Sequence, residues 1–371
     1  MSDSTDQATK PAEPQKRHTF ATERQARIIR FSADGSVLYG ACYDGKIRRW
    51  TTTPEVADEA DPKKRKPDDE IPATELPALE GHHGWVENLT FAPTHKLLLS
   101  TDSWGQLCAW NEGNDSVDIR WKHEHAHDGW LRALALSQDE SLIATAGRDK
   151  VVRVWQTSDG KLLHELKGHE DEVFAVAIHP DNKSVISGDL FSRLKHWNLE
   201  TGECQRETQL EKMNYYERDQ DVAGLYSLRF DADGKTLLAA GSEPSNTGNV
   251  AGTPTIYWLN WETLAITKTM QFGDTKQGYV YDYLFHPDGY LMLVTSGAPG
   301  AGQFICQRLD EEEPFFRDTK MTNCHSLAFD AATSRCVVAS TNRRSQGNGA
   351  VRDKDGNYVA NYSPLAVFEL S

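Results

Sequence analysis

The sequence predicts an all-β repeat architecture, on three observations. The first is a recurring phrase. Residues 127–155 read HDGWLRALALSQDESLIATAGRDKVVRVW and residues 169–197 read HEDEVFAVAIHPDNKSVISGDLFSRLKHW. Each holds a histidine, an alternating apolar strand, a turn, a second strand with a hydroxyl residue, a second turn, and a third strand ending in Trp. The second observation is spacing. The first apolar run of each phrase ends at Phe31, Phe91, Leu136, Ile178, Phe230, Phe285 and Phe329, at intervals of 60, 45, 42, 52, 55 and 44 residues. These lie at or above the roughly 40–45 residue period of propeller blades. The third is local chemistry. The runs are bounded by Asp-Gly, Pro-Asp and Asn turns, which tight hairpins need, and no stretch sustains a helical period. Seven phrases predict seven four-stranded antiparallel blades, a β-propeller.

Taken in order, residues 1–17 are polar and Pro-bearing and are expected to be a disordered tail. The propeller is expected over 18–371, with blades starting near 24, 81, 126, 168, 221, 278 and 322. Third strands close at Trp50, Trp110, Trp155, Trp197 and Trp258, while the last two blades end in FICQRL and LAVFEL without Trp. Five segments exceed the repeat: 51–72, read as a charged loop outside blade 1; 209–221, leading into blade 5; 242–254, interrupting blade 5; 298–302 in blade 6; and 342–363 in blade 7. Long loops in a compact domain are often functional.

The chain resembles the WD-repeat (WD40) β-propeller family. The resemblance rests on Gly81-His82, Ala126-His127, Gly168-His169 and the closing Trp residues, and it spans about residues 18–371. The chain departs from the signature in lacking Asp after each Trp. The resemblance implies a network within each blade of His, a strand Ser/Thr, a turn Asp and the Trp. Carried over, all four fall in blade 3 as His127, Thr145, Asp149 and Trp155. Blade 4 supplies His169, Ser187 and Trp197 but Phe191 at the Asp position. Blade 2 supplies His82, Ser100 and Trp110 but Trp104 there. Blade 1 has Asp44 and Trp50 with Gly40 and Thr22. The resemblance also implies that the segment near His18-Thr19-Phe20 closes the ring as the outer strand of blade 7, removing an exposed edge.

Composition limits the function classes. A net charge of -15 and a sequence pI near 5.3 argue against nucleic acid and anionic membrane as partners. No run approaches the roughly 18 apolar residues of a membrane span. The N-terminus has no apolar signal region, and the six Cys are scattered without a CxxC pair, as buried thiols of a cytoplasmic protein would be. Lys63-Lys64-Arg65-Lys66 is flanked by acids and reads as a solvated loop, leaving nuclear import open.

Catalytic signatures (GxSxG, HExxH, a phosphate loop) are missing from the sequence. No cofactor is expected, and no metal. His123, His125 and His127 alternate as if on one strand face, but His127 already has a structural post. Asp353, Asp355 and Asn357 mimic a calcium loop without its Gly or its final Glu, so a hairpin is preferred.

The aromatic signal is the strongest. The resemblance implies that the residues before each first strand and at the second turn open on the top face. There the chain places Trp85, Trp130 and Tyr279, and Tyr43, Trp104 and Arg148, residue types that dominate interface hot spots. The expected function is a non-enzymatic scaffold that binds a protein or peptide, locally basic, through this face. Two alternatives stand beside it: an enzyme or small-ligand or metal binder using the central channel, and a purely structural subunit of a larger assembly. Inward packing of Trp104 and Phe191 is the competing expectation for those rings.

Overall fold

The computed structural model describes residues 11–51, 70–112, 118–217, 220–245, 251–342 and 361–370. Its strands form seven blades of four antiparallel strands plus one separate hairpin. Blade 3 shows the plan: Leu131–Leu136 innermost, then Leu142–Gly147, Val151–Gln156 and Leu162–Lys167 outermost. The alternation of the sequence is the alternation of two blade faces, and each face packs on a neighbouring blade. Leu166, Val173 and Trp197, for example, share one core cluster between blades 3 and 4.

The ring closes as the sequence predicts. Pro364–Glu369 is the third strand of blade 7, and Gln15–Ala21 pairs antiparallel to it as the fourth, with Phe20 opposite Leu365. That strand begins inside the segment expected to be disordered; residues 1–10 lie outside the described residues. Blade 7 gains a further strand that sequence did not suggest. Glu70–Pro72, the end of the segment after blade 1, pairs parallel to Thr19–Ala21. Ile71 and Ala73 pack on the cluster that holds Phe20, and the Tyr362 hydroxyl donates to Glu70 at 2.8 Å. The seam between the chain ends is therefore clasped twice, and the outer edge is covered over Thr19–Ala21.

The segment at 242–254 begins and ends as strand rather than as loop. Thr236–Pro244 and Gly252–Asn260 extend the central hairpin of blade 5 into it from both sides. The segment before blade 5 forms the separate hairpin, Asn214–Glu217 with Gln220–Ala223. Lys63–Lys66 and the Asp353–Asn357 motif lie outside the described residues.

One irregularity repeats in all seven blades. Every innermost strand has a register shift near its start, at the second residue in six blades and at the third in Tyr279–Phe285 of blade 6, so Arg27, Glu87, Arg132, Phe174, Tyr226, Tyr281 and His325 occupy equivalent bulges. A bulge re-aims its side chain. Here the seven gather at one mouth of the central channel, where several of them touch across blades. Arg27 of blade 1 pairs with Glu87 of blade 2 at 2.5 Å and donates to the Tyr226 hydroxyl of blade 5 at 3.0 Å. Tyr226 packs against Tyr281 of blade 6, ring centroids 4.8 Å apart. Deeper, Arg30 of blade 1 and Arg229 of blade 5 both reach Asp282 of blade 6, at 2.9 and 3.0 Å. Two tiers of arginine thus bridge the channel.

Candidate functional site

The top face carries the loops between second and third strands and those leading to the next blade. Four of the five long segments, at 209–221, 242–254, 298–302 and 342–363, lie between strands at this face. The turns between first and second strands, on the underside, stay short in every blade.

The blade networks determine what the top turns are free to display. In blade 3 the Trp155 indole N–H donates to Thr145 Oγ1 at 2.8 Å, Thr145 lies 2.8 Å from His127 Nε2, and His127 Nδ1 lies 2.8 Å from Asp149. The expectation that only blade 3 is complete is wrong. In blade 4 His169 Nδ1 meets Asp189 at 2.9 Å, with Ser187 on Nε2 and Trp197 donating to Ser187. In blade 2 His82 Nδ1 meets Asp102 at 3.1 Å, with Ser100 and Trp110 completing the chain.

The carboxylate simply enters from a different place. Counting from the network hydroxyl, blades 2 and 4 put Asp at the end of the second strand, where blade 3 has Gly147; blade 3 puts it two residues later, in the turn. The third strand follows suit. A turn carboxylate recruits an arginine four residues on, Asp149 with Arg153 at 2.6 Å and Asp44 with Arg48 at 2.7 Å. Blades 2 and 4 have Cys108 and Lys195 at that point instead. Burial raises the Asp102 carboxyl, but His82 and the backbone N–H groups of Gln106 and Trp104 hold it below the ordinary range. Blade 1 has no hydroxyl: the Trp50 ring lies over Gly40, and its indole N–H is buried without an acceptor.

Because Asp102 and Asp189 sit at strand ends, positions 104 and 191 are released from the network. Trp104 does not pack inward; it is 66% exposed, its backbone N–H held by Asp102 at 2.9 Å and its ring beside His83. Phe191 is half-buried.

Trp85, 49% exposed, sits between Tyr43 and Trp130 in two edge-to-face pairs, centroids 5.5 and 5.8 Å apart. Trp130 is half-buried and belongs partly to the mouth. The Arg132 guanidinium lies 3.8 Å from its ring centre and 5.1 Å from Phe174, and is held by Glu172 at 3.1 Å. Burial raises the Glu87 carboxyl, opposed by Arg27, Arg132 and the Trp130 indole. Arg148 is exposed, 3.7 Å from Glu172.

Tyr43, Trp85, Trp130, Arg132 and Phe174 therefore form one continuous band over blades 1 to 4. Tyr279 stands apart from it on blade 6. Its hydroxyl donates to Ala223 O at 2.9 Å, which ties the separate hairpin down, and burial pushes that hydroxyl up to about 12.

Sequence reasoning missed Arg27, Glu87, Arg132 and Phe174. Aligning the first strands would have found them, since their column mixes charged and aromatic residues in place of the apolar residues beside it. It also grouped three histidines that the fold separates. His123 ends an outer strand against Trp155 and Gly160, His125 is exposed in the turn, and His127 is buried. Among the described residues no group of three His, Cys, Asp or Glu is placed to hold a metal ion.

Comparison with known proteins gives the same frame. Residues 73–111, 121–156 and 160–198 match the family model "WD domain, G-beta repeat". The chain is 28% identical to the Drosophila melanogaster small ribosomal subunit protein RACK1 over 44% of this chain and 50% of that one. For the Caenorhabditis elegans RACK1 the figures are 29%, 43% and 48%. It is 24% identical to apoptotic protease-activating factor 1 of Rattus norvegicus over 49% of this chain and 13% of that one. The match thus spans about half the length of the RACK1 relatives. With three matched repeats in a ring of seven four-stranded blades, the chain is a WD-repeat β-propeller.

Proposed function

We propose that the protein is a non-enzymatic docking platform whose top face binds a protein or peptide. Trp85, Trp104, Trp130, Tyr43 and Arg148 form the contact surface on blades 1 to 4, and Tyr279 anchors the hairpin that borders it. The observation that carries this reading is Trp104. A ring of that size left 66% exposed, beside a half-exposed Trp85, supplies large contact area at small entropy cost. The RACK1 relatives are named as small ribosomal subunit proteins, which supports a role inside an assembly.

The partner is locally basic, because a chain of net charge -15 steers and selects for positive charge. Nucleic acid and membrane are not its partners. The protein works in the cytoplasm, where five buried unpaired cysteines stay reduced.

Fluorescence anisotropy of dye-labelled peptides tests the proposal. Basic peptides bind the wild type, and Trp85→Ala/Trp104→Ala abolishes binding while leaving the melting temperature within about 2 °C, as for exposed side chains. An unchanged peptide profile in the double variant overturns it. Trp130→Ala must be scored separately, because it also removes the surface on which Arg132 stacks.

A further inference from the structure

We infer that the lower half of the central channel holds a binding site for a small oxyanion, a carboxylate or a phosphate group, formed by Arg30 and Arg229. The argument begins with charge. Two guanidiniums converge on one carboxylate, Asp282, which is buried and also accepts from Ser326 Oγ at 3.0 Å and the Leu327 N–H at 3.2 Å. Burial raises the Asp282 carboxyl, but the two arginines hold it below its ordinary range, so it stays ionised. The cluster therefore carries one positive charge in excess. Each arginine ties one further blade to Asp282, but two like charges on one carboxylate oppose one another, and a second anion would relieve that repulsion.

The second argument is geometric. Arg30 uses only Nη1 in the cluster, for Asp282, Ser326 Oγ and the carbonyls of Ile29 and Leu327. Arg229 uses Nη1 for Tyr283 O and Nη2 for Asp282, and its guanidinium lies over the Tyr283 ring. Among the described residues Arg30 Nε and Nη2 and Arg229 Nε therefore make no hydrogen bond, and none of them is a buried unpaired atom. They face solvent. Side-chain exposures of 24% and 36% agree. Both guanidiniums touch the same carboxylate, so their free edges lie close enough for a second anion to bridge them, the fork-to-oxygen geometry that favours arginine for carboxylate and phosphate.

The third argument is the column itself. Arg30 and Arg229 stand three residues beyond the bulge, where the other blades have Thr90, Ala135, Ala177, Leu284 and Ala328. Five uncharged residues, four of them small, leave the two arginines as the charged members of that ring. This site is independent of the top face, and neither reading stands or falls with the other.

Titration calorimetry of the full chain, with sodium phosphate and separately with sodium acetate at ionic strength fixed by sodium chloride, tests it. The expected result is saturable one-site binding of at least one anion. Preference for phosphate points to a phosphate-bearing ligand, and preference for acetate to a carboxylate. Arg229→Gln, at the more exposed arginine, should weaken binding about tenfold or more, as losing one charge-assisted pair does. Lys235→Gln, an exposed lysine elsewhere, should not. A second measurement needs no variant: phosphate should slow phenylglyoxal labelling of Arg30 and Arg229 relative to Arg148. Absence of saturable heat with both anions, equal affinity in a folded Arg229→Gln protein, or unprotected labelling would overturn the inference.

Discussion

Replacing Asp189 by Ala should be among the more damaging single changes in the ring, although it lies outside the position where the family motif puts its aspartate. The side chain is fully buried. It accepts from His169 Nδ1 at 2.9 Å and from the backbone N–H groups of Phe191 and Arg193, both at 3.1 Å. Removing it strands one buried imidazole donor, at about 1–3 kcal/mol, and two turn donors that water reaches in part, at about 1 kcal/mol each. The sum is roughly 3–5 kcal/mol, or a fall in melting temperature of about 6–10 °C at some 2 °C per kcal/mol for a large domain. Urea unfolding followed by tryptophan fluorescence gives the free energy, and scanning calorimetry the temperature. The decisive comparison is Asp189→Gly/Phe191→Asp, which writes the blade 3 arrangement of Gly147 and Asp149 into blade 4. Lys195 stands where Arg153 stabilises the turn carboxylate, so the new aspartate has both His169 and a cation within reach. The double variant should recover about 1–3 kcal/mol, less up to ~1 kcal/mol for the added glycine. A loss below about 1 kcal/mol in the single variant, or no recovery in the double, refutes the claim that the two carboxylate positions are interchangeable.

Two further outcomes follow from the structure. Burial, with Arg206 beside His196, pushes the imidazoles of His325 and His196 down to about 4, so from pH 6.5 to pH 4 the unfolded chain takes up protons that the folded ring refuses. Stability is then full above pH 6.5 and falls on acidification, by at most about 1.4 kcal/mol per pH unit for each histidine; unfolding at pH 7, 5.5 and 4.5 should show a shallower slope in His325→Gln, and an identical slope removes His325 from the account. Gly40→Ser would supply the hydroxyl that blade 1 lacks, yet its Cβ would sit 2.5 Å from Trp50 Cζ3, so the expected result is a loss of about 1–3 kcal/mol by denaturation, and a gain would show that Trp50 can withdraw.

The architecture was legible because it is carried by period and alternation, which survive substitution. Strand order and the Trp-closed third strands follow from those patterns, and ring closure by the N-terminal segment from the family resemblance. Site detail was legible only where one residue type serves one place. The carboxylate defeated this: a turn of fixed length lets an Asp side chain reach the same imidazole from either of two positions two residues apart, so the motif position and the physical position separate. The clasp at Glu70–Pro72 was hidden for another reason. Three residues carry no period, and their partner, Thr19–Ala21, lies some fifty residues away. The bulge column was hidden because its members share a location and not a chemistry.

That column also gives the proposed docking face its base. An innermost strand that bulges near its start throws one side chain toward the axis in each blade. In this chain Arg27 uses that placement to join blades 1, 2 and 5, and Arg132 uses it to join blade 3 to Phe174 and Glu172 of blade 4. Side chains committed across the axis stiffen the mouth, and what lies just outside inherits that rigidity. Trp130 rests on Arg132, Trp85 on Trp130, and Tyr43 on Trp85. The exposed edge of this stack is held in place before any partner arrives, which reduces the ordering cost of binding. Moving the aspartate from position 104 to position 102 then adds Trp104 to the face without giving up the blade network. The relocated carboxylate and the bridged mouth thus act together: one frees an aromatic residue for display, and the other gives the band beside it a fixed base.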